Sequence, residues 1–180
     1  MGKILTEITA ELRAWIEQQK IFFVATAPLS ARGHVNCSPK GADAFRVLDK
    51  NSVCYMDLTG SGIETVAHLQ ENGRIVVMFS GFEGPPQIVR LHGRGRVSAK
   101  GDEFKRLKAL FPANPGVRSI IVVDVSRVST SCGFSVPFFQ YKADRDTLDK
   151  WAASKSEEAL KEYRRQKNLK SIDDLSGLAE

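Results

Sequence analysis

The chain has 180 residues, 42% of them apolar and 26% charged, which is enough for one domain with a real core and ordinary for a soluble globular protein. No apolar run approaches the roughly 20 residues that span a bilayer, and the N-terminus lacks the apolar stretch of a secretory signal, so a cytoplasmic protein with no membrane partner is expected. A net charge of +5 favours anionic partners only weakly. Cys37, Cys54 and Cys132 are odd in number and widely spaced, which argues for reduced thiols rather than a disulfide frame or a zinc site.

In chain order, residues 6 to about 19 predict an amphipathic helix, with Ile8, Leu12, Trp15 and Ile16 on one side. Residues 21–27 form a nearly continuous apolar run and predict a buried strand. After a loop, residues 34–38 alternate, placing His34, Asn36 and Ser38 on one side, and Pro39-Lys40-Gly41 ends that strand. Short strands follow at 45–48 and 52–57, and a further one at 74–80. The prolines at 85 and 86 stiffen the next loop. Residues 88–98 predict a long strand, Asp102 can cap a helix running to about Phe111, and 119–128 is the last clear strand. The tail from 144 to about 168 reads as two helices, the first capped by Asp144 or Asp146 and the second by Ser156. A domain over 1–142 with a helical extension over 143–180 packed on it is therefore expected. About six strands joined by short connections imply an antiparallel sheet, and such sheets avoid exposed edges by closing into a barrel.

The stretch from Cys54 to Gly73 reads as a strand, a glycine-rich loop and a short helix. Ser61 followed by Glu64 has the spacing of a capping box, and Asn72-Gly73 is a helix stop. Thr59, Gly60, Ser61 and Gly62 then sit at the positive helix end, either as an ordinary cap or as a phosphate loop. Glu64 competes for that end, so a bound phosphate needs a cation from elsewhere. Neither of the familiar glycine-rich nucleotide signatures is present.

Arg90, His92, Arg94 and Arg96 alternate along one strand and share a face, which suits either an anion site or cross-strand pairing with acids. The histidines lack metal-ligand spacing and no nucleophile stands out, so any redox or transfer chemistry comes from a bound cofactor. The basic residues lack the interleaved aromatics of a single-strand binder, which argues against a nucleic-acid partner.

Several segments taken together resemble the pyridoxamine 5′-phosphate oxidase-like family of FMN-binding split barrels, in particular a bacterial subgroup. They are Phe22-Phe23-Val24-Ala25-Thr26, then Val35-Asn36-Cys37-Ser38-Pro39-Lys40-Gly41, Tyr55-Met56-Asp57-Leu58-Thr59-Gly60-Ser61-Gly62, Ala67 through Arg74, and Arg90-Leu91-His92-Gly93. The resemblance implies a six-stranded antiparallel split barrel with flanking helices, forming a homodimer with FMN at the subunit interface. It implies cofactor contacts from Asn36, Ser38, Pro39 and Lys40 along the ring and ribityl chain. The loop with Asp57, Thr59, Ser61 and Gly62 would approach the phosphate, and Tyr55, Met56 and Arg90 would complete the cofactor contacts. Lys40 would supply the missing cation.

The chain also departs from the oxidase itself. Val35 stands where the oxidase has an arginine, and Ser61-Gly62-Ile63 replaces a Ser-Arg-Lys cluster. Ile88 stands in place of a glutamine, and the C-terminal Arg-x-His motif is missing. The expected activity is therefore oxidation or reduction of some other small molecule. The alternative is a non-catalytic carrier of flavin, deazaflavin or haem.

Overall fold

The computed structural model describes residues 2–178. Its strands are β1 (Ile4–Leu5), β2 (Phe22–Thr26), β3 (Asn36–Lys40), β4 (Phe45–Asp49), β5 (Ser52–Leu58), β6 (Arg74–Ser80), β7 (Ile88–Ser98) and β8 (Val117–Ser131). They form one sheet in the order β3-β2-β6-β7-β8-β5-β4, with β1 paired to β8. Every pairing is antiparallel. The mainly-β antiparallel class is as expected, but the sheet has eight strands rather than about six. β1, held by Ile4 opposite Ser129 and Leu5 opposite Val128, is too short to show a period-two pattern. β8 runs for 15 residues, longer at both ends than its apolar run.

β3 and β4 end the strand order and do not pair with each other, so side chains bring the rolled sheet together. Phe45 of β4 meets Phe22 of β2 at a ring-centroid distance of 5.1 Å and Phe79 of β6 at 4.9 Å. Phe22 and Phe79, with Val24, Val53, Tyr55, Leu91, Ile120 and Ile121, belong to one continuous buried core, and partly buried Phe45 packs against it. The short turn between β3 and β4 places two non-glycine residues in the left-handed region, Ala42 at φ 59° and Asp43 at φ 51°. Arg46 holds the Asp43 carboxylate with two donors, at 2.8 and 2.9 Å.

Helix α1 (Ala10–Gln18) begins later than expected, because the Thr9 hydroxyl caps it by accepting from Leu12 N. Helix α2 (Glu64–Asn72) ends on Gly73 at φ 69°, a conformation that costs glycine little. It packs on β2, β6 and β7. Gly95 allows the close approach, since a Cβ there would stand 2.7 Å from Leu69 Cδ2. Ser61 does not cap α2. Buried Ile63 holds the cap position without a side-chain hydrogen bond, and Glu64 is the first helical residue.

In helix α3 (Gly101–Lys108) Lys100 rather than Asp102 holds the cap position, without a side-chain hydrogen bond, and the helix ends before Phe111. The tail forms α4 (Thr147–Ala153) and α5 (Glu157–Lys167), the latter capped by Ser156, which accepts from Ala159 N. No helix among the described residues is long and apolar enough to cross a membrane.

Candidate functional site

β3 bonds only to β2, and as an edge strand it tolerates Pro39, which lacks an N–H. Its alternation turns Asn36, Ser38 and Lys40 to one face and leaves Cys37 and Pro39 exposed on the other. The Ser38 hydroxyl donates to Asn36 Oδ1 at 3.0 Å. Asn36 Nδ2 donates to Thr26 Oγ1 at 3.2 Å and to Thr65 Oγ1 at 3.0 Å. This face is therefore a fixed row of polar groups rather than a set of loose side chains.

Beside it, Lys40 Nζ stands 3.8 Å from Asp57 Oδ1. Asp57 is buried, and its main partner is Arg118, whose Nε donates to Oδ2 at 2.8 Å. Ser119 Oγ donates to the same oxygen at 3.0 Å. Asp57 thus anchors an arginine beneath the site. Tyr55 is fully buried, and its hydroxyl has no hydrogen-bond partner. Burial, reinforced by the Asp57 charge, pushes its phenol well above the ordinary range.

The loop after β5 is bound by the C-terminal extension. The Thr59 hydroxyl donates to Gly116 O at 2.8 Å and accepts from Arg164 Nε at 2.9 Å. Arg118 Nη1 donates to Asn168 Oδ1 at 2.9 Å, and Asn168 Nδ2 donates to Gly60 O at 2.9 Å. The loop carries no cation of its own, but two arginines from distant segments serve it. On the loop's other side Glu64 lies against Gly62 and accepts from Ile172 N at 3.3 Å. An anion at this loop is therefore favoured on the Thr59–Gly60 side, facing Lys40, and disfavoured beside Glu64.

A cavity of about 790 Å³ opens on that side. Pro39, Lys40, Met56, Thr59 and Gly60 line its inner part, and Phe139, Tyr141 and Arg145 line its outer part. The outer wall is tied down by Phe139 N donating to Phe82 O at 3.1 Å and Tyr141 N donating to Glu83 Oε1 at 2.9 Å. The Phe82 and Phe139 rings meet edge-on at 5.4 Å. Its charges are mixed, with Lys20, Lys40 and Arg145 beside Glu83, Asp144 and Asp149, so this size and these apolar walls suit a small amphipathic ligand with any anionic group at Lys40.

Of the expected site residues, Pro39, Lys40, Met56 and Thr59 meet in this cavity. Asn36 and Ser38 continue its Lys40 wall along β3. Tyr55 and Asp57 alternate with Met56 on β5. Ser61 and Gly62 lie at the Glu64 side of the loop, and neither lines the cavity.

Arg90 also lies outside the cavity and donates to Ser131 Oγ at 3.1 Å. Its strand neighbours separate likewise, Arg94 to the Asn72 carbonyl and Arg96 to Glu103 at 2.7 Å. The arginine row is thus partnered rather than gathered on an anion. Arg118, Arg164, Asn168 and the aromatic outer wall were not evident as site residues in the sequence. Arg118 sits in an apolar strand run, Arg164 lies in the last turn of α5, and Asn168 is that helix's C-cap.

The model of the pyridoxamine 5′-phosphate oxidase family matches residues 8–132. The chain belongs to this family. A relative from Aspergillus flavus, the pyridoxamine 5′-phosphate oxidase family protein ustO, is 39% identical over 193 residues, covering 95% of this chain and 76% of the relative. That relative is fungal, so the likeness is not confined to a bacterial subgroup. Among solved structures, a HupZ variant from group A Streptococcus has a TM-score of 0.56 at 23% identity, covering 69% of this chain and 99% of that one. An FAD-binding protein from Mesorhizobium loti has a TM-score of 0.50 at 12% identity, covering 72% of this chain and 96% of its own. At these identities the two structures share the fold with this chain.

Proposed function

We propose that this protein is a flavoprotein that binds FMN and oxidises or reduces a small molecule other than pyridoxamine 5′-phosphate. The observation that carries the reading is the β3 face, where Asn36, Ser38 and Lys40 form a fixed polar row running into a cavity of about 790 Å³. These residues fit a flavin: the row offers polar groups to the edge of a flat ring, and Met56 and Pro39 give it apolar contact. Lys40 suits its phosphate, whereas the Thr59 N–H and hydroxyl both donate to Gly116 O, at 2.7 and 2.8 Å. Family membership and the FAD-binding neighbour of the same fold support the choice of a flavin.

When bound, the flavin supplies the chemistry by accepting a hydride and passing electrons on. The chain's residues orient it and shield it from water, and the aromatic outer wall bounds the space left for a substrate. Val35, the Ser61-Gly62-Ile63 sequence and Ile88 set this chain apart from the oxidase that names the family.

The protein acts as a homodimer in this proposal, with the second copy covering β3. Exposed Val35 on the segment leading into β3 supports that arrangement, because an edge strand offers unpaired backbone groups to a second copy. A second reading is a non-catalytic carrier, in which the same β3 face and cavity hold the ligand without turnover.

The test is the visible spectrum of the purified protein, followed by identification of what it releases on denaturation. Yellow protein releasing FMN is expected. A Soret band would move the reading to haem, and bound FMN that no electron acceptor reoxidises faster would move it to the carrier.

A further inference from the structure

Behind the β3 face, polar side chains connect Ser38 to a buried histidine. His68 of α2 is fully buried, and its Nδ1 lies 2.9 Å from Thr26 Oγ1. Its Nε2 is buried without a hydrogen-bond partner. Thr26 Oγ1 accepts one hydrogen of the Asn36 amide, and Thr65 Oγ1 accepts the other. Asn36 Oδ1 in turn accepts from Ser38.

Hydroxyls can donate in either direction, but an amide must rotate and an imidazole must change tautomer to reverse their roles. Asn36 spends both N–H groups on threonines and takes the Ser38 proton. Thr26, already an acceptor, has its own proton for His68 Nδ1. With the Thr26 proton given to Nδ1, His68 carries its hydrogen on Nε2. Burial lowers the pKa of His68 and keeps it neutral, while the carboxylates of Asp173, Glu71 and Glu64 act the other way. Their negative field also suits an N–H, rather than a lone pair, at the unpartnered nitrogen.

We propose that His68 is a positioning residue which, through Thr26 and Asn36, fixes the Ser38 hydroxyl as a hydrogen-bond acceptor toward the bound ring. This rests on the flavin reading above. With its one proton committed to Asn36, Ser38 presents only lone pairs to a ligand and receives an N–H. A flavin ring carries more N–H groups when reduced than when oxidised, so an acceptor here favours the reduced form and raises the midpoint potential.

Without the imidazole, the Thr26 proton turns to Asn36. The Asn36 amide rotates to present Oδ1 to Thr26, its Nδ2 donates to Ser38, and the Ser38 proton points at the ring. The polarity of the row is then reversed.

The test compares His68→Leu with His68→Asn, whose amide oxygen can replace Nδ1 as acceptor. Thr26→Val serves as a second break in the row should His68→Leu fail to fold. The readouts are the midpoint potential of bound FMN and, in flavin-free wild-type protein, the His68 tautomer by nitrogen NMR. The expected result is an Nε2–H tautomer, a potential lowered in His68→Leu and Thr26→Val, and a potential near wild type in His68→Asn. An Nδ1–H tautomer overturns the relay whether or not flavin binds. So does a potential that stays at the wild-type value in the broken variants, or one that falls equally in His68→Asn. Wild-type protein that takes up no FMN instead overturns the flavin reading, and with it the role given to Ser38.

Discussion

Arg118 and Asp57 form a buried ion pair between neighbouring strands, with Nε donating to Oδ2 at 2.8 Å and both side chains almost closed to solvent. Arg118 also reaches Asn168 of the tail, so the pair ties the floor of the site to the C-terminal extension. Removing one partner leaves the other charge buried and uncompensated, at a cost of about 3–5 kcal/mol. Arg118→Ala and Asp57→Ala should each lose stability on this scale in denaturant unfolding. A loss below about 1 kcal/mol would place the pair in the class of exposed salt bridges.

The turn between β3 and β4 carries a smaller, opposite effect. Ala42 sits at φ 59°, where a Cβ is strained and glycine is not, and this outweighs the greater freedom glycine gives the unfolded chain. Ala42→Gly should stabilise the protein by roughly 0.5–1 kcal/mol. The same substitution at Ala44, which is buried in the core, should destabilise it. The two melting temperatures should therefore move in opposite directions.

Much of this architecture was legible in the sequence. Strands such as residues 22–26 and 74–80 announce themselves as apolar runs, and the α2 stop at Gly73 is a local conformational requirement. The start of α2 departs from the capping-box spacing of Ser61 and Glu64, because burial of Ile63 decides where the helix begins. The cations serving the Thr59 loop were hidden for a different reason. Arg118 lies 61 residues from Asp57, and Arg164 lies 105 residues from Thr59, so no local pattern couples them. The arginine row of β7 was correctly placed on one face, but its partners Asn72, Glu103 and Ser131 come from three separate segments.

Acidification should expose the cost of burying His68. Burial holds its folded pKa below the ordinary 6.5, so below pH 6.5 the unfolded chain binds a proton that the folded chain resists. The contribution is fully present above pH 6.5 and is lost as the pH falls through the folded value. Unfolding free energy should therefore decline on the acid side of pH 6.5, and the decline should be shallower in His68→Asn. Part of it should persist, because burial and the charges of Arg127 and Arg90 also lower the pKa of His92. An identical slope in wild type and His68→Asn would show that His68 titrates alike in both states.

The proposed second copy can be tested at β3. Val35 is 74% exposed, on the segment leading into an edge strand, so a charge there should oppose burial against a partner. Light scattering should report a dimer for wild type and a shift toward monomer for Val35→Glu. A monomeric wild type would remove the second copy from the account.

In the proposed complex Lys40 and the β3 face hold FMN, and titration of flavin-free protein with FMN reads their contribution. Saturation at one FMN per chain is expected, with Lys40→Ala weakening binding by about 1–3 kcal/mol for a lost charge-assisted hydrogen bond. A correctly folded protein that takes up no FMN, or binds it equally well without the Lys40 ammonium, would contradict the account.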